Sequence, residues 1–332
     1  TGRVQIVSSI SRVSFMVFFR SEITVCSRGG IVYRYITIFK YIIETAYPLG
    51  FRRPMRWSSH RLGRKMRFPD PMEKTMQTIL VIGSGAIGAA VAGYLAQHDD
   101  VEIGAALVEP GTEAHARDVF GDGVEIGHDI DDISVAIDLA ADCAGHPALR
   151  QHGAAILSRG TDLITVSSGA LGDKALYDDL AAAAREGGSQ LRVVSGAIGA
   201  LDVLAAANVG ALSSVTYRGR KPPRGWRGSP AEDKLELDSL TEPAVHFTGS
   251  ARDAALEYPK NANVAASVAL AGPGLDATTV ELIADPAVER NIHEVIAEGD
   301  FGRFEFRVEG QSLPDNPRSS ALAAMSVVRE II

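Results

Sequence analysis

The run Ile79, Leu80, Val81, Ile82 is apolar without alternation, the pattern of a strand buried on both faces in a parallel sheet. A stretch of Ala, Val and Leu with helical period follows at once, through residues 89–97. This exchange of short apolar runs with helix-period stretches then repeats. Strands are predicted at 103–108, 135–140, 162–167 and 190–194, and helices at 112–119, 146–160 and 175–185. Strands alternating with helices predict a doubly wound parallel sheet. Beyond Leu201 the period changes. A helix at 202–208 and a strand at 214–218 lead into a loop at 220–230 rich in Pro, Gly and Arg. Strands that alternate apolar and polar positions then follow at 278–283, 293–297 and 302–308. Alternation of period 2 implies a sheet with one wet face. The expected fold class is α/β: a parallel-sheet domain over 76–200, then an α+β domain with an open mixed sheet over 201–317. A final helix within 318–332, with Asn316-Pro317 just ahead of it, is expected to pack back on the first domain.

Gly83, Gly85 and Gly88, with Ala86 and Ile87 between the last two, stand in G-x-G-x-x-G spacing where the first strand meets its helix. The first glycine permits the tight turn, the second lets backbone approach a pyrophosphate, and the third lets helix pack on strand. The helix N-terminus offers unpaired N–H groups and partial positive charge to phosphates. An ordinary glycine turn would show the same letters, but the flanking strand and helix favour dinucleotide binding and a Rossmann domain. Glu109 closes the second strand, 21 residues beyond Gly88, where an acidic side chain takes the ribose hydroxyls of NAD. The bland reading of Glu109 is a surface acid after a strand. NAD is the expected cofactor and NADP the second candidate, since a 2′-phosphate beside Glu109 would meet like charge.

Composition narrows the partners. The chain is 46% hydrophobic and 22% charged with a net charge of −8, as in a soluble globular protein. Residues 1–75 hold 14 Lys/Arg against 4 Asp/Glu and 11 of the 21 aromatic residues, which leaves the remainder 19 against 37. An acidic body argues against nucleic acid. Residues 1–75 show no sustained period, and Met72 and Met76 sit just ahead of the first strand. Three readings fit this non-native or disordered extension: upstream sequence read through a mis-assigned start, a transit peptide, or an accessory segment. Cys26 and Cys143 make no disulfide framework, so a reducing cytoplasm is the default. The sequence lacks an apolar run long enough to span a membrane, metal-ligand spacing of His and Cys, and a Gly-x-Ser-x-Gly nucleophile elbow.

Three stretches carry candidate chemistry. In residues 195–199, Ser-Gly-Ala-Ile-Gly, Gly196 and Ala197 are small enough to admit a flat ring at the end of the last parallel strand; helix packing is the alternative. In Tyr258-Pro-Lys-Asn-Ala-Asn-Val264, Asn263 can both donate and accept hydrogen bonds, as a carboxamide partner must. From spacing alone it reads better as a helix N-cap. His293 opens a strand and is of the type that moves protons near neutral pH. It is one of eight histidines, most of which are bland.

Together with Arg218-Gly-Arg-Lys-Pro-Pro223, Asn291-Ile-His-Glu294 and Asn316-Pro-Arg-Ser-Ser320, these stretches give residues 76–332 an order and spacing that resemble the L-aspartate dehydrogenases. The resemblance implies a Rossmann domain followed by an α+β domain, assembled as a homodimer. It also implies NAD(P)-dependent oxidation of L-aspartate to iminoaspartate, which hydrolyses to oxaloacetate and ammonia or supplies NAD biosynthesis. By the family pattern Ala197 and Asn263 contact the dinucleotide and His293 is catalytic, as the acid/base on amine and imine. A dicarboxylate substrate needs cationic and polar partners, for which Lys221, Lys260 and Asn291 are candidates, with Arg218 and Arg220 beside them. Two other readings remain: a related reductase of the homoserine dehydrogenase or dihydrodipicolinate reductase kind, and a non-catalytic NAD-binding sensor.

Overall fold

The computed structural model describes residues 76–259, 261–313 and 316–332; the expectations for residues 1–75 and for Lys260 lie outside the described residues. The first sheet contains β1 (Gln77–Ile82), β2 (Val101–Leu107), β3 (Glu125–Gly127), β4 (Leu139–Asp142), β5 (Asp162–Thr165) and β6 (Leu191–Val193). Its helices are α1 (Ala86–Leu95), α2 (Glu113–Phe120), α3 (His146–Ser158) and α4 (Lys174–Gly187). The strand order is β3-β2-β1-β4-β5-β6 and every pair is parallel. The order reverses between β1 and β4, which opens a crevice beyond their carboxyl ends.

The unbroken apolar run of β1 has a direct structural cause. Leu80 and Ile82 pack with Leu149, Ile156 and Leu180 on one side of the sheet. Ile79 and Val81 pack with Val91, Leu95 and Val327 on the other. One predicted strand is displaced: β4 starts at Leu139, four residues after the expected start at Val135. The Glu125 carboxylate accepts hydrogen bonds from the N–H groups of Ser134 and Val135, both at 2.9 Å, and holds that segment outside the ladder.

The second sheet begins after α5 (Leu201–Ala207). It comprises β7 (Leu212–Lys221), β8 (Ala244–Ser250), β9 (Thr279–Ala284), β10 (Asn291–Gly299) and β11 (Gly302–Gly310), with α6 (Ala251–Glu257) and α7 (Asn263–Ala271) between β8 and β9. The order is β11-β10-β7-β9-β8, parallel at β7–β9 and antiparallel elsewhere. The hydrophobic pattern predicts neither β8 nor α6. Their boundary is nonetheless marked, because Ser250 and Asp253 form a reciprocal capping box. A short hairpin of β12 (Ser312–Leu313) and β13 (Asn316–Ser320) leads into α8 (Ala321–Ile331). Ser320 caps α8, its Oγ accepting from the N–H of Leu322 at 3.2 Å. Ala324, Val327 and Ile331 of α8 join Val91 and Leu95 of α1 in one apolar layer, so the chain ends on the first sheet.

Candidate active site

The glycine turn follows β1, and each glycine answers a different constraint. Gly83 has φ of +91°, and a Cβ there would stand 2.6 Å from the Cβ of Ala144. A Cβ on Gly88 would lie 2.1 Å from the carbonyl oxygen of Gly83, so its absence allows α1 to close on β1. Around Gly85 there is nothing of the protein within 4 Å of such a Cβ. That glycine is the N-cap of α1 and supplies no side-chain cap, and Ala86 and Ile87 open the helix. Open space before unpaired helical N–H groups is what a pyrophosphate requires, and the residues therefore fit a dinucleotide. Glu109 is exposed, two residues past Leu107, whose carbonyl accepts from the N–H of Gly83 at 2.8 Å. The acid is thus tied through β2 to the turn it was expected to serve.

Ile87, Ala197, Asn263, Lys221, Asn291 and His293 line a single cleft. Ala197 follows β6, and Gly196 before it takes φ of +65°. Asn263 does not cap α7: the N-cap is Ala262. Its Oδ1 instead accepts from the N–H of Gly169 at 3.0 Å and from His146 Nε2 at 2.7 Å. Two donors on Oδ1 fix the carboxamide and leave Nδ2 as its available donor.

The second sheet supplies the opposite wall. Tyr217, Gly219 and Lys221 alternate onto one face of β7, and Val295, His293 and Asn291 onto the same face of β10, with Val295 paired to Tyr217 and His293 to Gly219. The intervening arginines therefore face the other way. Arg218 pairs with Glu281 and Arg220 with Asp285, each at 2.6 Å, so neither reaches the cleft. Lys221 is buried; its Nζ donates to Asn261 Oδ1 at 2.7 Å and lies 4.9 Å from the ring centre of Trp226.

His293 is 4% exposed, with Nδ1 2.7 Å from the Tyr217 hydroxyl. Burial first, and the nearby Lys221 charge second, push its pKa down to about 3. The sequence predicted a histidine titrating near neutrality; the structure holds one that is neutral there. Tyr217, Asn261 and His146 were missed by sequence reading. Tyr217 had a signal, since it stands two and four residues before Gly219 and Lys221 on a strand. His146 had none, because it meets Asn263 only through the fold.

Comparison with known proteins agrees with this geometry. Residues 202–331 match the family described as aspartate dehydrogenase, C-terminal, and residues 83–194 match homoserine dehydrogenase, NAD binding domain. L-aspartate dehydrogenase of Ruegeria pomeroyi is 54% identical over 250 residues, 75% of this chain and 90% of that protein. The chain belongs to the L-aspartate dehydrogenase family. A second family member, from Cupriavidus necator, is 48% identical over 77% of this chain and 97% of its own. The crystal structure of aspartate dehydrogenase from Thermotoga maritima superposes with a TM-score of 0.58 at 25% identity, covering 77% of this chain and 93% of that one. The protein is an NAD(P)-dependent amino-acid dehydrogenase of this family, and its parallel and mixed sheets are the two parts of that enzyme fold. Among the described residues no helix is long and apolar enough to cross a membrane.

Proposed function

We propose that the protein oxidises L-aspartate to iminoaspartate with NAD(P) as hydride acceptor, the imine then hydrolysing to oxaloacetate and ammonia. The observation that carries the reading is the shared cleft, where Ala197 and Asn263 face Lys221, Asn291 and His293. Gly83, Gly85 and Gly88 would hold the pyrophosphate at the start of α1, and Glu109 would take the ribose hydroxyls. The nicotinamide, when bound, accepts the hydride; the protein supplies position and charge. Asn263, with Oδ1 already occupied, offers Nδ2 to a carboxamide oxygen. Lys221 meets a substrate carboxylate: its ammonium is buried, where an ion pair is less screened than at the surface. Asn291 adds a neutral donor beside it, and His293 is the catalytic side chain at the reacting carbon.

The same reading takes the protein as a cytoplasmic homodimer that acts on a small molecule, without nucleic acid or membrane partners. The acidic body speaks against nucleic acid and the two cysteines, which make no disulfide framework, for a reducing compartment; the dimer rests on the family resemblance alone. Sedimentation velocity of the purified protein tests the dimer. For the reaction, the decisive measurement is formation of reduced nicotinamide at 340 nm. L-aspartate should support turnover with NAD, and L-homoserine should not. Turnover with L-homoserine alone, or with neither, would reject the assignment.

A further inference from the structure

Tyr217 is 1% exposed and its hydroxyl has one partner among the described residues, Nδ1 of His293 at 2.7 Å. The two rings lie nearly parallel, 17° apart, with centroids 6.0 Å from one another. The room for this contact comes from Gly219, directly across the ladder from His293. A Cβ there would stand 2.8 Å from the Tyr217 hydroxyl and 3.2 Å from Leu282. Resting on the catalytic assignment of His293 above, we propose that Tyr217 is a positioning residue that holds His293 in the tautomer protonated on Nε2, so that the histidine meets substrate as a neutral hydrogen-bond donor.

The argument is one of hydrogens and acceptors. A phenol has one hydrogen, and burial raises the pKa of Tyr217 so that the hydrogen stays on. If Nδ1 carried the imidazole proton and donated to the phenol oxygen, the phenolic hydrogen would be buried with no acceptor. Such an orphan costs more than the hydrogen bond returns. With the phenol donating to Nδ1 instead, both groups are satisfied and the second imidazole hydrogen sits on Nε2. Tyr217 occupies Nδ1, which leaves Nε2 as the ring nitrogen of His293 that can meet a substrate in the cleft this residue lines. The charged group bearing on the ring is Lys221, whose ammonium also disfavours a second proton.

Nε2 already carries a hydrogen, so it cannot take the proton that the substrate ammonium loses before oxidation; that proton passes to water. A neutral N–H donor suits an oxygen instead. It can bind a carboxylate of the amino acid, and later the carbinolamine oxygen formed when water adds to the imine.

Nitrogen-15 NMR of imidazole-labelled enzyme tests the tautomer without turnover, so its outcome is independent of whether L-aspartate is the substrate. In the wild-type protein at neutral pH, Nε2 of His293 should show the protonated, pyrrole-type shift and Nδ1 the bare, pyridine-type shift. The reverse assignment, or two protonated nitrogens, would overturn the proposal. Tyr217→Phe keeps the ring and removes the hydroxyl. It should mix the tautomers and lower kcat about tenfold, the size of one lost hydrogen bond, with the KM for NAD unchanged. Unchanged tautomer and kcat in this variant would overturn the positioning role. Should Tyr217→Phe fail to fold, the wild-type spectrum still decides the tautomer.

Discussion

His293 is uncharged at neutral pH because burial and the Lys221 charge hold its pKa at about 3, and this changes what its replacement should do. His293→Asn should lower kcat by roughly 10²–10³-fold, the range for one preorganised donor in a dry site. Its kcat/KM profile should fall without losing a limb near neutrality. A limb at pH 6–7 that vanishes in the variant would show that His293 titrates there after all (the ordinary histidine range). Lys221→Met keeps the length of the side chain and removes its charge. It should raise the KM for L-aspartate about 10–100-fold, as loss of a charge-assisted hydrogen bond implies, and leave the KM for NAD alone. An equal rise in both would mean that Lys221 shapes the cleft rather than binding a carboxylate. Glu109, proposed as the ribose ligand, should act on the cofactor choice. A repelled 2′-phosphate should cost about 1–3 kcal/mol in a partly wet site, so Glu109→Ala should narrow the ratio of kcat/KM for NAD over NADP. Equal values in the unaltered protein would remove Glu109 from the ribose.

The glycine turn separates two roles within one element. Gly88 is required by the fold itself, since a methyl group there collides with the carbonyl of Gly83. Gly88→Ala should destabilise by about 1–3 kcal/mol, as overpacked sites do. Gly85 has open space and an unstrained φ of −69°. Gly85→Ala should melt within a degree or so of the parent, yet bind NAD more weakly, because the methyl group enters the pyrophosphate space. Thermal melts alongside NAD titrations of both variants check the contrast. A Gly85→Ala protein that binds NAD normally would place the pyrophosphate elsewhere. Most of the elements behind this turn were legible. Runs such as Ile79 to Ile82 read as buried on both sides, and their alternation with helix-period stretches points to a parallel layered sheet. The start of β4 was not legible, because Val135 is apolar enough to read as strand while the Glu125 carboxylate, ten residues earlier, binds its backbone, a contact outside the period of either strand or helix.

For the whole molecule, buried histidines weaken the fold as the pH falls from neutrality. His293 is pushed down to about 3 and His246, packed edge-on against Trp226, to about 4, in both cases by burial first. The unfolded chain binds these protons from about pH 6.5 downward while the native state does not. Stability therefore falls as pH drops below that value, by up to about 1.4 kcal/mol per pH unit for each histidine, until the native pKa is reached. Asp142, raised by burial, works in the opposite sense. Melts between neutral pH and pH 4.5 should show the loss, and His246→Gln should flatten it relative to the parent. Identical slopes in the two proteins would mean that His246 is charged in the native state.

Local chemistry alone determined the nucleotide half of this protein. A glycine turn, its strand, its helix and the acid after the next strand are close in sequence, and their spacing is the one a dinucleotide site requires. His293, Asn263 and Lys221 were also picked out from their motifs. Their roles belong to the tertiary structure. Which cations face the cleft depends on the strand parity of β7, which turns Lys221 inward and gives Arg218 and Arg220 to Glu281 and Asp285 on the other face. From spacing alone Asn263 reads as a helix cap; in the fold His146 and Gly169, from separate elements, donate to its oxygen instead. The charge state of His293 depends on burial and on Tyr217 and Lys221 from the neighbouring strand. Desolvation and strand pairing act between residues far apart in the chain, and for that reason no local pattern could display them.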